Sequence, residues 1–308
     1  MSIRFSIIVP AYNEEADLPK TLTALEVLKY HDYEVLVIDD GSDDNTIAVA
    51  QTFVNRDPNH FQIFRQSQNQ GVASARNRGI REARGNVLVI LNADVLLPTD
   101  YLSKLSPFYE QGNQWVAVRS QVLNLTSPYS RFTAAEEYSY YFVEKKFWVW
   151  TEGFSCTKEA AVSVGLFPEV MPGCSGEDVD FGLLLEKKLP GTRTTEIVAP
   201  HVAPDTFSGY WGQQKGRGKG RSNYYYYMNH YRLRRLFISS VLATIKRLVK
   251  VFLGQEVLTA WRLSRFSPRR RKDFLPFIWV GIVREFAMIA GIWSAYRRIG
   301  KTDAALAG

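Results

Sequence analysis

Three acidic clusters in this 308-residue chain carry side chains suited to chemistry. Asp39-Asp40-Gly41-Ser42 follows the apolar run Val35-Leu36-Val37-Ile38, and Asn92-Ala93-Asp94 follows another apolar run at 87–91. Glu177-Asp178-Val179-Asp180 opens a third apolar stretch at 181–185. A carboxylate at a strand's carboxyl end can accept a hydrogen bond from a base N–H or a ribose hydroxyl. Gly41 lets the chain turn there without a Cβ clash. Asp94 can offer a hard oxygen ligand to Mg²⁺ or Mn²⁺. A carboxylate at the start of a helix complements the helix dipole or takes a proton from an acceptor hydroxyl. Each cluster also has a plain structural reading: a turn with an N-cap, a loop carboxylate, a helix start.

The surrounding pattern predicts elements that would position these groups. Strands are expected at 5–9 (ended by Pro10), 34–38, 61–65 and 86–91, alternating with helices at 14–29, 43–54, 71–84 and 99–109. Such alternation implies βαβ units and a mostly parallel sheet, with ligands beyond the strands' carboxyl ends. After Trp115 the pattern is mixed: an aromatic amphipathic stretch at 130–148, a short helix at 176–188, a strand at 196–198, and loops near 168–176 and 199–210. No internal repeat is visible. The 46% hydrophobic and 22% charged composition excludes a disordered chain.

Taken in order, the segments resemble a known family. Ser6-Ile7-Ile8-Val9-Pro10-Ala11-Tyr12-Asn13-Glu14-Glu15 is followed by Asp39-Asp40-Gly41-Ser42, and then by Gly71-Val72-Ala73-Ser74-Ala75-Arg76-Asn77-Arg78-Gly79. Asn92-Ala93-Asp94 and Gly176-Glu177-Asp178-Val179-Asp180 complete the series. Over roughly residues 3–225 this is similar to family 2 of the inverting, nucleotide-sugar-dependent glycosyltransferases with the GT-A fold. The resemblance implies an α/β, Rossmann-like GT-A domain at 1–225 and a basic helical tail at 226–308. Carried over by position, Tyr12 and Asp40 would frame the nucleobase, with Asp39 and Arg76 nearby and Pro10, Glu14, Asn92 and Ala93 completing the donor site. Asp94 matches the last residue of the family's Asp-x-Asp motif, and His201 the histidine near the metal, so the implied cofactor is Mg²⁺ or Mn²⁺. Asp178 would be the catalytic base with Glu177 beside it, and Gly153 and Ser155 would line the acceptor site. Two departures stand out: Asn92 replaces the first Asp of that motif, and the processive members' Gln-x-x-Arg-Trp is absent. In its region, 213–221 looks like the glycine- and arginine-rich loop of non-processive relatives. Lys215 and Arg217 could there close over a diphosphate and stabilise its leaving charge, or mark a flexible linker.

The charge distribution adds a partner. Residues 1–214 hold 18 Lys/Arg against 27 Asp/Glu, whereas 215–308 hold 20 against 4. An acidic body with a basic tail points to a polyanionic partner. In that tail, 232–253 reads as a basic amphipathic helix and 274–296 as the most apolar stretch, interrupted by Arg284-Glu285. Two charges at mid-bilayer would cost about 2.5–3.5 kcal/mol each, so a helix lying in the interface, or a helical pair dipping into one leaflet, is the cheaper arrangement. A helix packed on the catalytic body is the alternative. The reading is therefore a glycosyltransferase peripheral on the cytoplasmic membrane face, with a UDP- or GDP-type donor and a lipid-linked glycan acceptor. Polyprenyl phosphate itself as acceptor is the near alternative. A nucleic-acid-binding protein (from the basic tail and Tyr224-Tyr225-Tyr226-Tyr227) and a catalytically silent scaffold are more distant, since the apolar runs suit lipid better than nucleic acid. Cys156 and Cys174 lack metal-ligand spacing and read as free thiols, and Met1-Ser2-Ile3-Arg4 runs into a strand without a signal-peptide pattern.

Overall fold

The computed structural model describes residues 5–146, 151–170 and 176–307, with side chains through residue 302. Cys174, residues 1–4 and most of the loop expected at 168–176 lie outside the described residues. The chain divides into two compact units. One comprises Met1–Gln121, Lys146–Glu169 and Glu177–Val202, and the other Val122–Lys145, Val170–Gly176 and Ala203–Gly308.

The first unit is a sheet sandwiched by helices. In chain order it contains β1 (Phe5–Ala11), α1 (Leu18–Glu26), β2 (Tyr33–Asp39), α2 (Thr46–Arg56), β3 (Phe61–Arg65), α3 (Val72–Glu82), β4 (Val87–Ile90), α4 (Tyr101–Glu110) and β5 (Trp115–Val122). After α5 (Pro128–Tyr138), which belongs to the second unit, come β6 (Phe154–Thr157), α6 (Lys158–Ser163), α7 (Glu177–Lys188) and β7 (Gly191–His201). The sheet order is β3-β2-β1-β4-β6-β5-β7. β3, β2, β1 and β4 run parallel, and β6 pairs antiparallel with both β4 and β5.

Alternation along the strands builds two cores. Phe5, Ile7 and Val9 of β1 face Leu22, Leu25, Phe53 and Leu105 on one side of the sheet. Ile8, Leu36 and Ile38 face Ala73, Ile80, Phe181 and Leu185 on the other. The alternating α/β reading is realised as an α/β fold. Its details differ from expectation on the β5–β7 side, where β5 and β6 form strands that the mixed pattern did not predict and the strand expected at 196–198 extends over 191–201. β1 also continues through Pro10 to Ala11. Ile8 O accepts from Leu91 N, so the backbone of Pro10, two residues on, faces the β4 side, where β4 has already ended at Ile90. The missing proline N–H therefore costs no ladder bond.

The second unit is helical: α5, α8 (Phe207–Asn223), α9 (Leu233–Phe252), α10 (Gln255–Ser264) and α11 (Phe274–Ala307). Phe132, Tyr210, Leu263, Phe277, Val280 and Val283 form its core. Here the sequence expectation of a mobile glycine-rich segment at 213–221 is corrected: it is part of α8, capped by Thr206, whose hydroxyl accepts from Gly209 N at 3.1 Å. Gly218 serves packing. A Cβ on Gly218 would lie 2.2 Å from Met288 O, and one on Gly291 would lie 2.1 Å from Lys215 O. α8 and α11 thus touch backbone to backbone, which offsets glycine's helix cost of about 1 kcal/mol per residue.

α11 is one continuous helix. Arg270–Thr302 is, among the described residues, the one helical stretch long and apolar enough to cross a bilayer by length and composition. Its two central charges point into the unit. Arg284 pairs with Glu136 and, at 3.2 Å, with Glu256. Glu285, 1% exposed, pairs with Arg247 and, at 3.7 Å, with Lys250. Opposing charges pull Arg284 upward despite its burial.

The backbone contact gives a clear expectation. Gly218→Leu should lower stability by about 3 kcal/mol through overpacking, whereas Gly212→Ala should raise it by about 1 kcal/mol through helix propensity. A Cβ on Gly212 would meet nothing within 4 Å, so that position isolates propensity from packing. Urea unfolding followed by far-UV circular dichroism separates the two. Equal effects at both positions would refute the packing role.

Candidate active site

The carboxyl ends of β1, β2 and β4 bring the sequence motifs together. Ala11 is in register with Asp39, and Asp40 N donates to Ala11 O at 2.8 Å. The loop after β1 is clipped to the loop after β2: Asn13 N donates to Ser42 Oγ, Asp43 N to Asn13 Oδ1 and Glu14 N to Thr46 Oγ1. Tyr12 stands exposed at this edge. Asp39 is fully buried, accepts from Ser42 N at 3.3 Å and lies 3.5 Å from Arg65 Nε. The Asp40 carboxylate takes Gln70 N and Gly71 N at 2.8 Å each, together with Gln66 Nε2 at 2.5 Å. Asp40 therefore ties down the loop that leads into α3. Gly41 makes this possible, since at φ +77° a Cβ would lie 2.7 Å from the Gln68 carbonyl carbon.

Arg76, on α3 and 3% exposed, joins three distant segments. It donates to Glu177 Oε1 at 2.8 Å, Asn92 Oδ1 at 3.1 Å and Thr151 Oγ1 at 2.9 Å. Its guanidinium also lies over the Phe167 ring, 5.3 Å from the centroid. Glu177, 4% exposed, is thereby committed to an ion pair. Asn92 turns its amide oxygen toward Arg76 and Thr151.

That leaves Asp178 as the half-buried carboxylate at the start of α7, with Oδ1 accepting from Val179 N at 2.8 Å. Burial first, and the Glu177 charge next, push it up to about 6, with Arg76 opposing. Asp94 behaves alike: burial and then Glu152 push it up to about 6, with His201 opposing. Glu14 is pushed up to about 7 by burial and by Asp94. Glu14, Asp94, Glu152 and Asp178 thus share one negative field.

His201 is placed beside Asp94 by the end of β7. Val95 bridges to His201, Leu96 N donates to Pro200 O at 2.8 Å, and Val202 N donates to Asp94 O at 3.3 Å. Asp94 Oδ1 is buried and without a hydrogen-bond partner among the described residues. A bare carboxylate oxygen next to an imidazole suits a hard divalent cation. Among the described residues no three His, Cys, Asp or Glu close around one point. A cation at Asp94 and His201 would thus complete its shell with water or diphosphate oxygens.

The other expected site residues are placed differently. Pro10 is buried within β1, and Ala93 is buried with its carbonyl accepting from Thr21 Oγ1 at 2.6 Å. Gly153, at φ +86°, has Ala199 and Tyr101 2.8 Å from where a Cβ would sit, so the position excludes side chains. Ser155 is fully buried in β6, accepting from Tyr109 Oη at 2.7 Å and donating to Val116 O. It faces the core and not a surface that an acceptor could reach. Lys215 and Arg217 lie on α8 in the second unit. Cys156 is a buried free thiol whose pKa burial drives far upward, which makes it inert. Sequence reasoning passed over Thr151 and Glu152. Their one local signal is adjacency to Gly153, because their partners lie far away along the chain.

Comparison with known proteins follows the same outline. Residues 6–171, just over half of the chain, match the profile of Glycosyl transferase family 2. The dolichol-phosphate mannosyltransferase of Pyrococcus furiosus is 32% identical over 120 residues, covering 39% of this chain and 33% of that protein. The undecaprenyl-phosphate 4-deoxy-4-formamido-L-arabinose transferase of Proteus mirabilis is 30% identical over 137 residues, covering 43% of this chain and 41% of that one. The chain thus spans a third to two-fifths of the length of these curated relatives. Among solved structures, mannosyltransferase PcManGT from Pyrobaculum calidifontis, in complex with GDP-Man and Mn²⁺, aligns with TM-score 0.58 at 16% identity, covering 99% of this chain and 80% of that one. TarS 1–349 of S. aureus aligns with TM-score 0.54 at 14% identity, covering 96% and 91%. At these identities the structural likeness concerns the fold.

The Arg76–Glu177 pair can be tested directly. Arg76→Met strands a buried carboxylate and should cost about 3–5 kcal/mol of stability. Arg76→Met/Glu177→Gln should recover a good part of that loss in urea unfolding. Strictly additive single-variant losses would show that the pair is not coupled.

Proposed function

Because the chain belongs to Glycosyl transferase family 2, we propose that it moves a sugar from a UDP- or GDP-type nucleotide sugar to a hydroxyl of a lipid-linked glycan, with inversion. Asp178 carries this reading. Its carboxylate is half-buried and raised to about 6, and it is the member of the Glu177–Asp178 pair not held by Arg76. Such a group is ionised at neutral pH yet a stronger base than a solvated carboxylate.

In the proposed step, Asp178 takes the proton of the acceptor hydroxyl. The oxygen bonds to the anomeric carbon on the face opposite the nucleotide. The bond from that carbon to the diphosphate oxygen breaks, and its electron pair leaves with the nucleoside diphosphate. One displacement inverts the centre and needs no carboxylate nucleophile. Asp94 and His201 would hold a Mg²⁺ or Mn²⁺ ion, which when bound supplies positive charge to the diphosphate oxygens. Tyr12, with Asp39 and Asp40 behind it, is the proposed nucleobase edge.

A second reading, a lipid phosphate as the acceptor, draws support from the names of the P. furiosus and P. mirabilis relatives. A phosphate oxygen is already ionised near neutral pH, so that reaction does not need Asp178 as base. Asp178→Asn decides between the two. Transfer to a hydroxyl should fall about 10²–10⁴-fold with nucleotide-sugar binding kept. In the unaltered protein the rate should fall as pH drops through about 6, because only ionised Asp178 takes a proton. In the same assay a chelator should stop transfer and Mn²⁺ restore it. Full activity of Asp178→Asn would remove the base from the mechanism.

The second unit supports a membrane partner. α9 turns Ile238, Leu242, Ile245, Val249 and Phe252 outward, a stripe at helical spacing, while Leu236 and Ser240 are its buried residues. α10 exposes Leu258 and Trp261, and α11 exposes Leu275 and Trp279. Exposed Arg234, Arg235, Lys246 and the basic run 269–272 accompany them. Apolar side chains interleaved with cations match the interface of an anionic bilayer, where each basic residue contributes about 1 kcal/mol. The proposed location is the cytoplasmic face of the cell membrane. The protein should sediment with phosphatidylglycerol-containing vesicles and not with phosphatidylcholine alone, and Leu242→Ser/Phe252→Ser should weaken sedimentation. Indifference to lipid charge would reject the basic surface as the anchor.

A further inference from the structure

α11 carries a second pattern that the family reading leaves unused. Phe286, Ile289, Ala290, Trp293, Ser294, Arg297, Arg298 and Lys301 follow helical spacing and so form one face of the helix. With Trp211 and Lys215 of α8 they line a cavity of about 850 Å³. The groove lies wholly within the helical unit, beside the glycine seam at Gly218 and Gly291.

Its chemistry is segregated along the helix axis. The first half of the face is apolar and aromatic, and the last turns are cationic. At 1.5 Å per residue, Phe286 to Trp293 spans about 10 Å, and Trp293 to Lys301 about 12 Å more. Trp293 is held in place, its Nε1 donating to Thr244 Oγ1 at 3.0 Å and its ring packed against Phe237. Arg297 and Lys301 form no ion pair among the described residues, and among the described residues no acidic side chain lines the groove. Unpaired cations at one end of an apolar trough match a molecule with a hydrocarbon chain ending in a phosphate. A nucleotide sugar lacks the chain, and a neutral lipid leaves the cations unanswered.

We infer that the α8–α11 groove binds the phosphate end of an isoprenoid lipid, with the first prenyl units on Trp293 and Ile289 and the phosphate on Arg297 and Lys301. This deepens the proposed function by naming where the lipid of the acceptor is held, and it rests on that acceptor being lipid-linked.

Geranyl phosphate, whose ten-carbon chain fits the apolar half, is the probe. Binding is read by calorimetry and tryptophan fluorescence, with geraniol and inorganic phosphate as separate arms. Geranyl phosphate should bind at least tenfold more tightly than either fragment, and at least tenfold less tightly to Arg297→Gln/Lys301→Gln. Ile289→Asp, which alters only the apolar half, should weaken it similarly. Equal affinity for inorganic phosphate would reduce the groove to an anion site, and equal affinity for geraniol to a greasy cleft. Unchanged binding by both variants would place the ligand elsewhere. Each of these outcomes overturns the inference. Nucleotide-sugar binding, measured in parallel on the unaltered protein, separates the two levels. If it holds while the groove fails, the groove assignment alone falls; if it is absent while the groove binds, the transferase reading falls.

Discussion

Removing a guanidinium from water costs several kcal/mol unless its N–H groups find acceptors. Arg76 meets that demand at its two terminal nitrogens with groups drawn from three stretches of chain far from α3: Asn92 after β4, Thr151 ahead of β6, and Glu177 at the start of α7. None of these segments is a neighbour of another in sequence, so the buried cation fixes where the ends of the sheet and the first turn of α7 meet. The consequence for Asp178 is positional and electrostatic. It is adjacent to the anchored Glu177, it shares that residue's negative field, and Arg76 moderates the field without occupying the carboxylate. Asn92 belongs to the same arrangement. With an amide there in place of an acid, Arg76 has one buried counter-charge in Glu177 and two neutral acceptors.

The parts of this fold that were legible in sequence are those whose signals are local. A run such as Val35-Leu36-Val37-Ile38 ending in Asp39-Asp40-Gly41 announces both a buried strand and its turn within seven residues, and β2 and β4 follow that rule. Asp94 and Asp178 could be singled out for the same reason, each standing directly after or at the head of an apolar element. What local pattern concealed was set by distant partners. β6 is four residues long and mostly small, and it becomes a strand because β4 and β5 flank it. Ser155 read as part of an accessible segment, yet Tyr109 and Val116 turn its hydroxyl inward. Thr151 and Glu152 carry no signature apart from the residues they meet.

The glycine-rich stretch of α8 is the clearest case of composition misleading. Glycines scattered among cations normally mean a chain that cannot settle, because each one adds backbone entropy to the unfolded state. Here Gly218 lies against the backbone of α11, where a Cβ does not fit, and Gly291 of α11 lies as close to the backbone of Lys215. The information that makes 213–221 a helix therefore resides in Met288 and Gly291, some seventy residues away. The helical unit also reverses the usual distribution: the ion pairs of Arg284 and Glu285 are inside, and many of its large apolar side chains face outward.

That reversal bears on how the chain is made. Glu136, Arg247, Lys250 and Glu256, the partners of Arg284 and Glu285, all precede α11 in the sequence. On a ribosome they emerge first, so the apolar helix meets its counter-charges as soon as it is free to move. Entering a bilayer would mean giving up those partners in a medium that offers none. The order of synthesis thus favours docking over insertion for a segment whose hydropathy alone would direct it into the membrane.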